Sequence, residues 1–115
     1  MASNRLDARV TQWLVIIFAV VTGLIHLYLA FQFPDGPDLV FVLNGIGYLV
    51  LVTLLYLPLP QVAGWRKQIR WLLLAYTALT IILWVIVGAR NAIAYVDKLV
   101  EVALLVLLWM EMQAD

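Results

Sequence analysis

Residues 92–112 read AIAYVDKLVEVALLVLLWMEM, an apolar segment that is long enough to cross a bilayer and carries Asp97, Lys98 and Glu101 inside it. An isolated carboxylate at membrane depth is unfavourable by several kcal/mol unless it is paired or hydrated. Other segments of the chain must therefore supply partners or water for Asp97 and Glu101. The segment predicts a polar interior in an otherwise apolar protein.

The composition is typical of an integral membrane protein. The 115 residues are 66% hydrophobic and their mean hydropathy is +1.04, whereas soluble domains are about half apolar. Seven basic and seven acidic residues leave no net charge, so we expect no nucleic-acid partner. The chain has no cysteine and one histidine, which excludes disulfides, thiolate metal sites and multi-histidine metal sites within one chain.

Four apolar segments are separated by proline, glycine and asparagine. A helix of about 20 residues spans a hydrocarbon core of roughly 30 Å. Pro34 and Pro37 end the first helix, Pro58 ends the second, and Gly88 ends the third. Because the first and last connections are short, each pair of helices is antiparallel. The sequence predicts an all-α fold, a four-transmembrane-helix bundle of two antiparallel helical hairpins in one membrane domain, with helices at about residues 13–33, 39–57, 71–89 and 92–112.

Basic residues in the short flanks predict how the chain is threaded through the membrane. The face shared by the termini and the middle connection is rich in lysine and arginine, while the opposite face has Arg90 and Lys98. Basic flanks favour the cytoplasmic side. We therefore predict a multi-pass protein of the cell membrane with both termini in the cytoplasm. The residues that carry this asymmetry are Arg5, Arg9, Arg66, Lys67 and Arg70.

Polar residues of three segments fall in the same half of the bundle. His26 lies on a helical stripe of small residues, which mark the side on which helices approach one another. Asp97 and Glu101 are four residues apart and share one helix face. We predict a polar cluster of His26, Asn44, Asp97 and Glu101. With Tyr48, these are the candidate cofactor-binding or ligand-binding residues.

Several functions fit this pattern. A non-catalytic accessory or structural subunit, surrounded by membrane lipid and associated with further copies or a larger membrane complex, needs the cluster only as interhelical hydrogen bonds, worth about 1 kcal/mol each. In that case Lys98 extends outward, and Glu101 pairs with Lys98 or Arg90. Alternatively, His26 binds a tetrapyrrole (haem or chlorophyll) or a quinone. Asp97 and Glu101 also suit a small proton-coupled or ion-coupled transporter, because neighbouring carboxylates repel unless a cation lies between them.

Catalytic motifs are missing from the sequence. Ser3 is the only serine, cysteine is absent, and there is neither a phosphate-binding loop nor a pair of histidines at metal-ligand spacing. We therefore expect no enzymatic activity, no catalytic residues and no metal ligands.

Three motifs resemble a known group of proteins. They are GLIHL at residues 23–27, NGIGYL at residues 44–49 and VDKLVEVALL at residues 96–105. Together they resemble small four-helix integral membrane proteins of prokaryotes in an uncharacterised family that includes haloarchaeal relatives. The similarity covers nearly the whole chain. The resemblance implies that the histidine, the asparagine–glycine step and the acidic fourth helix occur together, and it implies no activity.

Overall fold

The computed structural model describes residues 7–114, and all regular structure within them is helical. The all-α prediction is confirmed. Three of the helices, α1, α2 and α4, are long and apolar enough to cross a membrane. The helices are α1 (Ala8–Ala30), α2 (Leu39–Tyr56), the short α3 (Pro60–Ala63), α4 (Arg66–Val87) and α5 (Ala92–Ala114).

Two helices begin before the apolar runs that predicted them. Helix α1 begins at Ala8 rather than Trp13, because the Asp7 side chain accepts a hydrogen bond from a backbone N–H of the first turn at 2.8 Å. Helix α4 begins at Arg66 rather than Trp71, so its polar first turn is helical as well. Apolar residues mark the depth of a membrane helix, whereas capping groups determine where it begins.

Capping also shapes the connections between neighbouring helices. Asp38 caps α2 by accepting a hydrogen bond from the Phe41 backbone N–H at 3.1 Å. Asn91 does the same for α5, accepting from Ala94 N–H at 2.9 Å. Gly36 has a φ of 108°, which a glycine adopts without steric cost. The connections between α1 and α2 and between α4 and α5 are therefore capped turns that join neighbouring helices.

The four long helices form a ring in the order α1, α2, α4, α5. Helix α1 packs against α2 and α5, and α4 packs against the same two helices. The backbones of α1 and α2 approach closely at Gly23 and Gly45, where a Cβ atom added to Gly45 would lie 2.6 Å from the Gly23 carbonyl oxygen. These two glycines let the backbones meet and place the polar face of α1 beside α2.

An apolar core fills the half of the ring where α1 begins and α5 ends, which we call the termini end. The core residues include Val15, Val52, Leu55, Leu73 and Leu108. The outward faces of the helices are apolar too and expose many large hydrophobic side chains. Polar side chains occupy the interior beyond this core, towards the opposite end.

Candidate functional site

A group of polar side chains lies inside the ring, between α1, α2 and α5. Asp97 is 2% exposed, Glu101 0% and Lys98 8%, so charged groups are removed from the surroundings of the protein. Such burial is costly unless each charge has a partner. We call the group the interior cluster, and it consists of Thr22 and His26 from α1, Tyr48 from α2, and Asp97, Lys98 and Glu101 from α5.

Lys98 turns into the cluster instead of extending outward. Its Nζ atom lies 2.5 Å from Glu101 Oε1 and 3.2 Å from Asp97 Oδ2. Of the two partners considered for Glu101, the structure therefore shows Lys98. Arg90 lies elsewhere, with its guanidinium 4.0 Å from the centre of the Trp84 ring and donating to the Trp84 carbonyl oxygen. One ammonium group thus bridges both carboxylates.

Two hydroxyl groups complete the contacts of the carboxylates. Thr22 Oγ1 lies 2.6 Å from Asp97 Oδ1 and 3.0 Å from Glu101 Oε2, and the Tyr48 hydroxyl donates to the same Glu101 oxygen at 3.0 Å. A hydroxyl carries a single hydrogen and can donate to one acceptor at a time. The Thr22 hydroxyl therefore cannot satisfy both carboxylates together.

The orientation of His26 follows from its hydrogen bond to the backbone. Its Nδ1 atom lies 2.8 Å from the Thr22 carbonyl oxygen, and because a carbonyl only accepts, Nδ1 carries the hydrogen. This turns Nε2 towards Asp97 Oδ2 at 3.6 Å and Glu101 Oε2 at 3.8 Å. Both distances exceed those of an N–H···O hydrogen bond. Nε2 therefore faces one oxygen of each carboxylate without a direct hydrogen bond to either.

The charges of the interior cluster do not cancel. Among the described residues of the cluster, the two carboxylates face one ammonium group, so the cluster carries one negative charge when both carboxylates are ionised and His26 is neutral. An unbalanced buried charge is strongly unfavourable. A proton on a carboxylate or on the imidazole, or a bound cation, balances the cluster.

Four of the five residues predicted from the sequence lie together, and Asn44 does not. His26, Tyr48, Asp97 and Glu101 belong to the interior cluster. Asn44 instead faces α4, where its Nδ2 donates to Thr80 Oγ1 at 3.3 Å. Its Oδ1 atom is buried and makes no hydrogen bond within residues 7–114. Asn44 therefore connects α2 to α4 outside the cluster.

Sequence reasoning missed two features of the polar interior. Thr22 Oγ1 lies within 3.0 Å of both carboxylates, and the only sign of this in the sequence is its position one helical turn before His26. At the termini end, Glu111 pairs with buried Arg70 at 2.9 Å and accepts from the Tyr56 hydroxyl at 2.8 Å. From the sequence, Arg70 indicated only the orientation of the chain in the membrane.

The surroundings of His26 affect which cofactor or metal ion its ring can bind. Its ring lies 5.8 Å from the rings of both Phe41 and Tyr48, and a tetrapyrrole metal at Nε2 would have to displace Asp97 and Glu101. A small metal ion needs no such displacement. One donor atom each of His26, Asp97 and Glu101 lie within 4.8 Å of one another, although the sequence suggested no metal site.

The chain was also compared with known proteins. A family described as a family of unknown function, DUF7475, matches residues 2–110. This agrees with the resemblance to an uncharacterised family. Neither a curated protein nor a solved structure matches the chain.

Proposed function

The chain belongs to the family DUF7475, and we propose that it is a non-catalytic, multi-pass membrane protein that binds a small cation at the interior cluster. The observation that carries this proposal is the charge of the cluster. Two buried carboxylates share one ammonium group, and His26 turns an imidazole nitrogen towards both carboxylates. A site of this kind inside a membrane serves ion-coupled movement.

We also propose that α5 is a fourth membrane-crossing helix. It carries charged side chains at depth, but they are paired within the chain. Lys98 contacts Asp97 and Glu101, and Glu111 contacts Arg70. Paired charges that face the interior of a bundle are tolerated in membrane helices, whereas isolated charges that face lipid are not.

The proposed orientation places both termini in the cytoplasm of a cell whose membrane holds the protein. Arg9, Arg66 and Lys67 lie at the termini end, at the first turns of α1 and α4, and Arg5 lies outside the described residues. This concentration of basic residues supports a cytoplasmic termini end. The interior cluster then lies in the outer half of the membrane.

Vesicles that contain the purified protein test whether the cluster exchanges a cation. Inward gradients of H⁺, Na⁺, K⁺ and Mn²⁺ are applied in turn, with an indicator dye for each ion inside the vesicles. We expect one of these ions to enter faster than in protein-free vesicles, and Glu101→Gln to abolish the difference. The matched control is Glu111→Gln, which removes a carboxylate of the same helix outside the cluster. Entry at the protein-free rate for every ion would contradict ion movement through the cluster.

A second candidate function is an accessory subunit that binds no ion. The observation that favours it is the pair of contacts made by Lys98, which supplies a counter-charge from within the chain. The apolar outward faces would then contact lipid, further copies of the chain or a larger membrane complex. Native mass measurement in nanodiscs checks this role: it predicts oligomers or a copurifying partner, and monomers alone would contradict it.

A further inference from the structure

We propose that the cation is a divalent first-row transition-metal ion held by His26 Nε2 and one carboxylate oxygen each of Asp97 and Glu101. This inference rests on the proposed cation site and names the class of its ligand. It goes beyond the sequence analysis, which assigned no metal ligands.

The spacing of the donor atoms is close to that of a metal site. Nε2 lies 3.6 Å from Asp97 Oδ2 and 3.8 Å from Glu101 Oε2, and one donor atom from each of the three residues lies within 4.8 Å of the other two. In a tetrahedral site with ligands at about 2.1 Å, donor atoms are roughly 3.4 Å apart. Small rotations of buried side chains bring the three donors to that separation. A hydroxyl or a water molecule takes the fourth position.

The neighbours of the donors orient them as the outer shell of a metal site does. Metal-binding histidines donate their second ring N–H to a carbonyl or carboxylate, and His26 Nδ1 makes such a contact with the Thr22 carbonyl oxygen at 2.8 Å. The Thr22 hydroxyl fixes Asp97 by its other oxygen, Oδ1, at 2.6 Å, and the Tyr48 hydroxyl contacts Glu101. The imidazole nitrogen favours transition metals over Mg²⁺ and Ca²⁺, which prefer oxygen alone.

Lys98 acts as a tethered counter-ion that the metal replaces. Its ammonium contacts the Asp97 oxygen that also faces His26, so the metal and the ammonium compete for that atom. Lys98 is the most exposed charged member of the cluster at 8%, and a flexible lysine stem can carry its charge towards the interface. A divalent ion in its place matches the two carboxylates in charge.

The test measures metal binding by the full-length chain, purified in detergent and stripped of metal. Titration calorimetry with Zn²⁺ and Mn²⁺ is expected to give one ion per chain for the wild type. His26→Gln and Glu101→Gln are expected to weaken binding by more than about tenfold, since outer-shell changes alone cost about 10–100-fold. Glu111→Gln, the matched carboxylate control, is expected to bind as the wild type does.

Lys98→Met separates a competing counter-ion from a purely structural lysine. Loss of the ammonium is expected to tighten metal binding on the order of tenfold, because the metal then has no buried ion pair to displace. The visible absorption of bound Co²⁺ gives an independent signature, which is expected to change in His26→Gln and to persist in Lys98→Met. Both readouts report on the site itself, so loss of thermal stability does not imitate them.

Three results would overturn the metal assignment: no binding of Zn²⁺, Mn²⁺ or Co²⁺ by the wild type, equal binding by Glu101→Gln, or weaker binding by Lys98→Met. If metal binding fails while vesicles still move H⁺ or Na⁺ in a manner that depends on Glu101, the metal assignment is wrong and the cation site stands. If both measurements fail, the proposed function falls as well.

Discussion

Replacing Lys98 by methionine tests whether the ammonium group is the counter-charge of the interior cluster. Methionine keeps an unbranched apolar stem but leaves Asp97 and Glu101, which are 2% and 0% exposed, without the group that contacts both at 3.2 and 2.5 Å. Removing one partner of a buried ion pair destabilises a protein by about 3–5 kcal/mol. For a chain of this size we expect the unfolding midpoint to fall by at least about 10 °C.

The assay is thermal unfolding in detergent with EDTA, followed by tryptophan fluorescence. Lys67→Met is the matched control, because Lys67 is exposed at the termini end and such substitutions usually change stability by less than about 0.5 kcal/mol. Addition of Zn²⁺ is expected to restore much of the midpoint of Lys98→Met, since a ligand that binds only the folded state stabilises it. A Lys98→Met midpoint equal to that of wild type in EDTA would show that the ammonium group is not the counter-charge of the interior cluster.

Three further changes follow from the structure. Glu101→Gln is expected to lower the midpoint in EDTA far less than Lys98→Met does, because Asp97 and Lys98 remain as a matched pair at 3.2 Å; an equal loss in the same melts would argue against the charge imbalance. Gly45→Ala is expected to destabilise the protein by about 1–3 kcal/mol, since its Cβ would meet the backbone of α1 at 2.6 Å. The control Gly64→Ala should be neutral in the same melts, because a Cβ at Gly64 has its nearest neighbour at 4.0 Å. Equal midpoints for the two variants would contradict the close approach of α1 and α2. Tyr56→Phe loses the hydrogen bond from the hydroxyl to the Glu111 carboxylate, whose oxygens lie 2.8 and 2.9 Å away. It should destabilise the protein by about 1.5 kcal/mol in thermal unfolding, and an unchanged midpoint would contradict this. Tags on either terminus should resist proteases added outside intact cells, and cleavage of one tag would overturn the orientation.

Helical periodicity and depth were enough to predict that His26, Asp97 and Glu101 fall at one level of the bundle. These residues sit on faces that the small residues of α1 and the four-residue spacing in α5 define. Asn44 sits at a similar depth, yet it faces α4. The rotation of α2 about its axis depends on how its glycines pack against α1, and that contact involves two distant parts of the chain. Periodicity within one segment does not specify it.

The direction of a flexible side chain was equally beyond the sequence. Lys98 has a stem long enough to reach either the interface or the interior. The direction of its side chain depends on the groups of Thr22, Tyr48 and His26, which other helices place around the carboxylates. Thr22 gave little sign of its role, because a threonine in a helix ordinarily bonds its own backbone.

Thermal stabilisation by added cations shows whether the interior cluster holds a cation. The wild type and Glu101→Gln are melted after metal stripping, in rising concentrations of Na⁺, K⁺, Mg²⁺, Mn²⁺ and Zn²⁺. A ligand at 100 times its Kd stabilises the folded state by about 2.7 kcal/mol. We expect at least one cation to raise the wild-type midpoint progressively and to leave the midpoint of Glu101→Gln unchanged. Identical responses of the two proteins to every cation would contradict it.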